Sequence, residues 1–291
     1  MRKYLYGILL LVFCTPAFPQ SFKPVIDLIL PEKNEKLELL AKQIESNLDF
    51  IVHTYTKNLP SAKDRGEILI IVSEKLLPLI NNNHYKANFA LYVNSVVYKS
   101  GHYKNATALF SDQSIHKQLS LISSIYKFRS IRVGIAYQDP NYLYALEKEA
   151  EKFPLMHFIV EQANENNKLR SINKVIQNSD IVLATPETTL YNSQTIRSIL
   201  LSSYRHQTLI IGPNEGFVNA GALASIISSP DQYTNEIIAM VNSFVKSNII
   251  PEARHPHNYN VKLNYSVAES LGIELPSEEI LLKEIAGSES Q

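Results

Sequence analysis

The chain has 291 residues, 45% of them apolar and 19% charged, which is enough apolar material for two domains of ordinary size. Its 28 basic and 28 acidic residues cancel. That balance excludes nucleic acid or an anionic membrane surface as an electrostatically recruited partner, and leaves a small-molecule ligand as the expected one.

Arg2 and Lys3 precede an apolar run over 4–13, and Thr15-Pro16-Ala17 follows with small residues where a signal peptidase reads. Residues 1–20 therefore read as a secretory signal. The run is far shorter than the roughly 20 residues of a spanning helix, which disfavours the alternative of a membrane anchor. Cys14, the single cysteine, lies inside this segment, so the mature chain is expected to hold no disulfide, thiol nucleophile or thiolate metal site. Lipid attachment at Cys14 is disfavoured by Phe13, where such a signal needs a small side chain. Removal of Arg2 and Lys3 leaves a mildly acidic protein suited to a periplasm.

After the signal, 24–30 (PVIDLIL) reads as a buried strand, and 34–47 as a helix with Leu37, Leu40, Ala41 and Ile44 on one face. Strands are expected at 50–55, at 68–72 (ILIIV), and more weakly at 89–97 and 107–110, then a helix at 116–126. The pattern restarts at 131. Strand 131–137 leads through Asp139-Pro140, an N-cap and a first-turn proline, into helix 141–153. Strands 155–160, 180–184 and 208–211 alternate with helices 168–177 and 193–203. Such alternation implies parallel sheets, and two runs of it imply two similar lobes of an α/β fold. Further on, Ser229-Pro230-Asp231-Gln232 is a capping box that opens an amphipathic helix. A proline-rich loop, a late strand at 259–263 placed at a lobe edge, a short helix and a polar tail complete the chain.

Signatures of catalysis are missing: the sequence has no GxGxxG, GxxxxGK[ST], HExxH or GxSxG. His255-Pro256-His257 lacks a third ligand and reads as a solvated loop rather than a metal site. No enzyme, cofactor or metal is expected. Polar residues do gather at the expected carboxyl ends of strands, where an open parallel sheet binds ligands. They are Glu32, Ser73, Glu74, Asp112 and Gln113 in the first run, and Gln138, Asp139, Glu161, Gln162, Thr188, Tyr191, Asn192, Asn214 and Glu215 in the second. Acids outnumber bases there. This suits a ligand with an amine or another cationic group, although acids are also favoured near helix N-termini for structural reasons.

The segment NSQTIRSILLSSYRHQTLIIGPNEGFVNAGALASIISSPDQ (192–232), with VKLNYSVAESLGIELP (261–276) and LFSDQSIHKQLSLISSIYKFRSIRVGIAYQD (109–139), resembles the ABC-transporter substrate-binding protein family with the type I periplasmic-binding-protein fold. The likeness covers roughly the last two thirds of the chain. It implies two Rossmann-like lobes joined by three crossovers, with ligand held between them: lobe 1 from 21–126 plus 220–247, lobe 2 from 127–219 plus 248–291. By position it implies a ligand site of Ser73, Asp112, Thr188, Thr189, Tyr191, Asn192, Asn214, Asn219, Gly221 and Ala222, with Gly221 near the hinge. Some relatives bind amino acids, aromatic ones included. Tyr191 offers a stacking surface, yet no arginine stands at a strand end to receive a carboxylate. The implied partner is the membrane permease of an ABC transporter, and the protein is expected to act as a monomer. The alternative is a sensory or accessory subunit that hands its ligand-dependent shape to a receptor or kinase.

Overall fold

The computed structural model describes residues 23–81, 84–127 and 129–289. The expected signal segment and Cys14 lie outside the described residues.

Two sheets form. The first contains β1 (Val25–Leu30), β2 (Ile51–Thr56), β3 (Ile68–Val72), β4 (Ala87–Val93) and β5 (Ala106–Phe110) in the order β2-β1-β3-β4-β5. All of its pairs are parallel. Its central strand β3 is ILIIV and every residue is buried, as a strand covered on both faces requires. One face packs Ile26, Leu28, Ile70 and Phe89 against helix α1 (Glu35–Asn47) and helix α8 (Pro230–Ser247). The other packs Ile29, Leu69 and Ile71 against a 3-10 helix, Glu74–Ile80. Helix α2 (Ser95–Ser100) follows β4, where the sequence pattern alone extends the strand to 97. Asn94 ends the strand because its side chain accepts from the backbone N–H groups of Val96 and Val97.

The second sheet has the order β11-β10-β9-β8-β6-β7, built from β6 (Ile131–Tyr137), β7 (Met156–Gln162), β8 (Ile181–Leu183), β9 (Leu209–Ile211), β10 (Ala224–Ile227) and β11 (Asn260–Leu263). β11 is antiparallel to β10 and forms the edge. Helices α3 (Ile115–Ile125), α4 (Pro140–Ala150) and α10 (Glu278–Ser288) bury Leu119, Ile122, Leu146, Leu281 and Ile285 on one face. Helices α5 (Lys168–Asn178) and α6 (Ile196–His206) and the short α7 (Glu215–Ala220) cover the other with Ile172, Val175, Ile199 and Phe217. A further short helix, α9 (Tyr265–Ser270), joins β11 to α10. Among the described residues, no helix is long and apolar enough to cross a membrane.

The lobe boundaries differ from the sequence reading at three places. Helix α3 belongs to the second lobe, since Leu119, Leu121 and Ile122 share a core with Val133 and Ile135. The strand after Gly221 also lies in the second sheet, where the Leu223 N–H donates to Ile210 O and Ala224 pairs with Ile211. Residues up to Arg254 stay with the first lobe, because Arg254 N–H donates to Ala108 O and Phe110 N–H donates to Arg254 O. Periodicity shows that an element needs a partner face but not which sheet supplies it. The chain therefore crosses at 111–114, 228–229 and 255–259. Gly221, with φ of 128°, is the C-cap of α7 and not a hinge residue.

Candidate functional site

The carboxyl ends of the two sheets face each other across a crevice. On the first lobe, β3 ends in Ser73, whose φ of 113° lies in a region that favours glycine, and Ser73 N–H donates to Leu91 O at 2.9 Å. Tyr92 also has a positive φ, 57°, where the β4–β5 register slips between Leu91 and Val93. Its ring packs on Tyr233 with centroids 4.4 Å apart, and burial, with Asp231 nearby, pushes its hydroxyl up to about 12. Two strained residues on adjacent strands at one crevice mark where the backbone has been bent to shape a surface.

Beyond β5, Asp112 is buried and accepts from Ser95 N–H at 2.7 Å and from Ser95 Oγ at 2.6 Å. His255, on the third crossover, donates from Nδ1 to the Asp112 carbonyl at 2.9 Å and sets its ring edgewise on Phe110. Burial holds the His255 imidazole below its ordinary range, against the pull of the adjacent Asp112 carboxylate.

On the second lobe, Asp139 caps α4 by accepting from Asn141 N–H at 2.8 Å. Glu187 follows β8 and reaches back to the same turn. It accepts from Gln138 N–H at 2.9 Å, from Asp139 N–H at 2.7 Å and from Thr185 Oγ1 at 2.8 Å. Burial raises its carboxyl above the usual range, while these hydrogen bonds favour the ionised form. Thr189 Oγ1 donates to Gln138 Oε1 at 2.6 Å, and Asn192 Nδ2 donates to Thr188 O at 2.8 Å.

Asn94 crosses the crevice: its Nδ2 donates to the Pro186 carbonyl at 2.5 Å. One cavity, ≈350 Å³, is lined by Ser73, Tyr92, Asn94, Asp112, Thr188, Tyr191 and Asn214. A second, ≈410 Å³, is lined by Ser95, Asp112, Gln113, Asp139, Tyr142 and His255 among others. Asp112 and Pro186 line both. A further cavity, ≈640 Å³, lies outside the crevice beside Arg129, Lys152 and Phe153.

The structure thus brings Ser73, Asp112, Thr188, Tyr191 and Asn214 to one cavity. Thr189 and Asn192 are tied into the neighbouring loop. Asn219, Gly221 and Ala222 are elsewhere: Asn219 is exposed on α7, Gly221 ends that helix, and Ala222 is buried behind Tyr191 and Phe217 in the second-lobe core. The turn after Gly212 forms α7 and carries these three residues back from the crevice. Sequence reasoning missed Tyr92, Asn94, Ser95, Tyr142, Pro186 and Glu187, and took His255 for a solvated residue. The Asn-Ser pair closing the apolar run of β4 was a readable cap signal; the inward turn of Glu187 had none. Of the other acids at strand ends, Glu161 pairs with Lys174, and Glu215 stands 3.8 Å from Lys262. No group of His, Cys, Asp or Glu among the described residues is arranged to hold a metal ion.

No family model matches this sequence, and no curated protein matches it. Solved structures do. A substrate-binding protein with adhesive properties from Clostridium difficile, in its ligand-free open form, aligns with TM-score 0.66 at 14% identity over 88% of this chain and 97% of its own. An ABC domain from Streptococcus pneumoniae in complex with L-Trp aligns with TM-score 0.61 at 14% identity, over 90% and 98%. A conserved domain protein from Vibrio cholerae aligns with TM-score 0.60 at 16% identity, over 89% and 97%. The two mostly parallel α/β sheets align with these neighbours along nearly their whole length. The chain has the two-lobed type I periplasmic-binding-protein fold.

Proposed function

We propose that the protein is an exported solute-binding protein of an ABC-type transport system, a binder and not an enzyme. It takes a small amine-bearing or amino-acid-like molecule into the crevice, closes as a monomer, and is recognised in the closed form by a membrane permease. The observation that carries this reading is the crevice itself: two cavities share Asp112 and Pro186, and a hydrogen bond from Asn94 spans the lobes between them. A ligand that contacts both lobes stabilises the closed arrangement by its differential affinity for it. The Streptococcus pneumoniae neighbour, described with an amino acid bound, supports a ligand of that size.

Calorimetry and thermal shift against amines, amino acids and sugars test the reading. At a hundredfold excess over Kd, a true ligand adds about 2.7 kcal/mol of stability. No heat and no shift with any of the three classes would sink it.

A further inference from the structure

Four backbone N–H groups and one hydroxyl at the crevice are already occupied by the chain's own acceptors. Gln138 N–H and Asp139 N–H point at Glu187. Asn141 N–H, at the start of α4, points at the Asp139 side chain. On the facing lobe, Ser95 donates both its N–H and its hydroxyl to Asp112. Backbone N–H groups at such a turn would suit a ligand's carboxylate or phosphate. Here Glu187 sits on them, its carboxyl buried at 7% exposure.

Accepting capacity, in contrast, remains: two groups of the same cavity are acceptors with free lone pairs, and a third is a hydroxyl that can accept as well as donate. Each Asp112 oxygen takes one short bond from Ser95, whereas a carboxylate accepts about four in all. Gln113 Oε1 is buried without a partner, its amide nitrogen being held by Ser228 Oγ at 2.9 Å. The Tyr142 hydroxyl is also buried without a partner, in a residue only 4% exposed, and it lies near enough to Asp112 and Glu187 to feel both charges. All three residues line the ≈410 Å³ cavity. An unpartnered buried polar atom costs stability, so a partner from outside the chain is favoured. The lysines of this cavity, Lys99 and Lys148, are exposed at its rim, where solvent and salt screen them.

We propose that the site selects a cation without a free carboxylate, with Asp112, Gln113 and Tyr142 receiving the ammonium or guanidinium group and Glu187 excluding an anionic one. This rests on the solute-binding reading above and narrows it from amine-bearing or amino-acid-like to amine.

Matched pairs that differ only in the carboxylate provide the test: agmatine against arginine, cadaverine against lysine, tyramine against tyrosine, each titrated calorimetrically into the mature protein, with a neutral sugar panel alongside. At least one amine is expected to bind, and its parent amino acid at least about tenfold more weakly, a gap of about 1.4 kcal/mol. Glu187→Ala frees the N–H groups of Gln138 and Asp139, so the gap is expected to shrink or reverse. Should that variant not fold, Glu187→Gln removes the charge at nearly constant volume and is read by the same ratio. Tyr142→Phe is expected to weaken the amine several-fold without lowering Tm, because the hydroxyl it removes has no partner within the chain. An amino acid that binds as tightly as its amine, a sugar as the only ligand, or an unchanged ratio in both Glu187 variants would overturn the inference while leaving a solute-binding protein. Silence from all three panels would instead overturn the function on which it rests.

Discussion

At the scale of single residues, two features of the crevice have measurable consequences. His255 keeps its imidazole in a buried setting beside Asp112, with Lys99 and Lys117 also opposing its protonation. Its folded pKa lies below the ordinary 6.5. An unfolded chain therefore takes up the proton first as pH falls, so this group's contribution is complete above about 6.5, begins to be lost below it and is gone once pH has fallen through the lower folded value. His255→Asn keeps a donor for the Asp112 carbonyl and removes the titration. Its Tm is expected to fall less than that of the parent protein between pH 7 and 5; parallel curves would count against the assignment. Ser73 offers the second measurement. Its φ of 113° is strained for any residue with a Cβ, and its side chain returns only a 3.3 Å cap to Lys75 N–H. Ser73→Gly is expected to stabilise by about 1 kcal/mol in urea unfolding, and a loss of that size would show that the cap outweighs the strain. Neither feature was legible in the sequence. A serine after ILIIV looks like any strand end, and the environment of His255 is created by Phe110 and Asp112, more than 140 positions away in the chain.

Elements were legible where a cap or an unbroken apolar run announced them. The capping box at Ser229, with Gln232 returning its side chain to the Ser229 N–H at 2.7 Å, opens an 18-residue helix where the sequence places it. β3 and β6 agree with their apolar runs. The six-residue helices α2 and α7 span too few turns to show a period, and the 3-10 helix at Glu74–Ile80 carries Pro78 within it. Helix α10 was hidden in a tail that reads as polar, although Leu281 and Ile285 are fully buried. The third crossover is held by one side chain of α8. Glu236 is 4% exposed and accepts from Asn258 N–H at 2.7 Å, from Asn258 Nδ2 at 3.2 Å and from Arg254 at 3.2 Å. Lys117 of α3 holds the same segment through the Pro256 carbonyl at 2.7 Å. Glu236→Ala leaves Arg254 and the Asn258 N–H without their acceptor, and about 3 kcal/mol of stability is expected to go in chemical denaturation. A change below 1 kcal/mol would mean that water replaces the carboxylate freely.

For the whole molecule, alternation of strands and helices was enough to give two mostly parallel sheets, because each element carries its own apolar pattern. The allocation of elements to lobes was not, because it is fixed by contacts remote in sequence, such as Leu223 with Ile210 and Arg254 with Ala108. Asn94 reports on the relation of the lobes. Asn94→Ser keeps a cap oxygen for α2 but is too short to reach Pro186, and it is expected to give a larger radius of gyration in solution scattering for the ligand-free protein and a weaker ligand, with Tm nearly unchanged; an identical scattering curve would show that the contact does not restrain the lobes. The allocation of α8 also bears on how the chain is made. The first five strands are complete by Phe110, but one face of their sheet is covered by Tyr233, Ile237, Val241 and Phe244, which come after most of the second lobe in sequence. The second sheet in turn waits for β11 to supply its edge. The first lobe thus closes only after most of the second has been made, and the second only after the first, so the newborn chain must keep an apolar sheet face open while the other lobe is being synthesised, and the two halves of the crevice mature together.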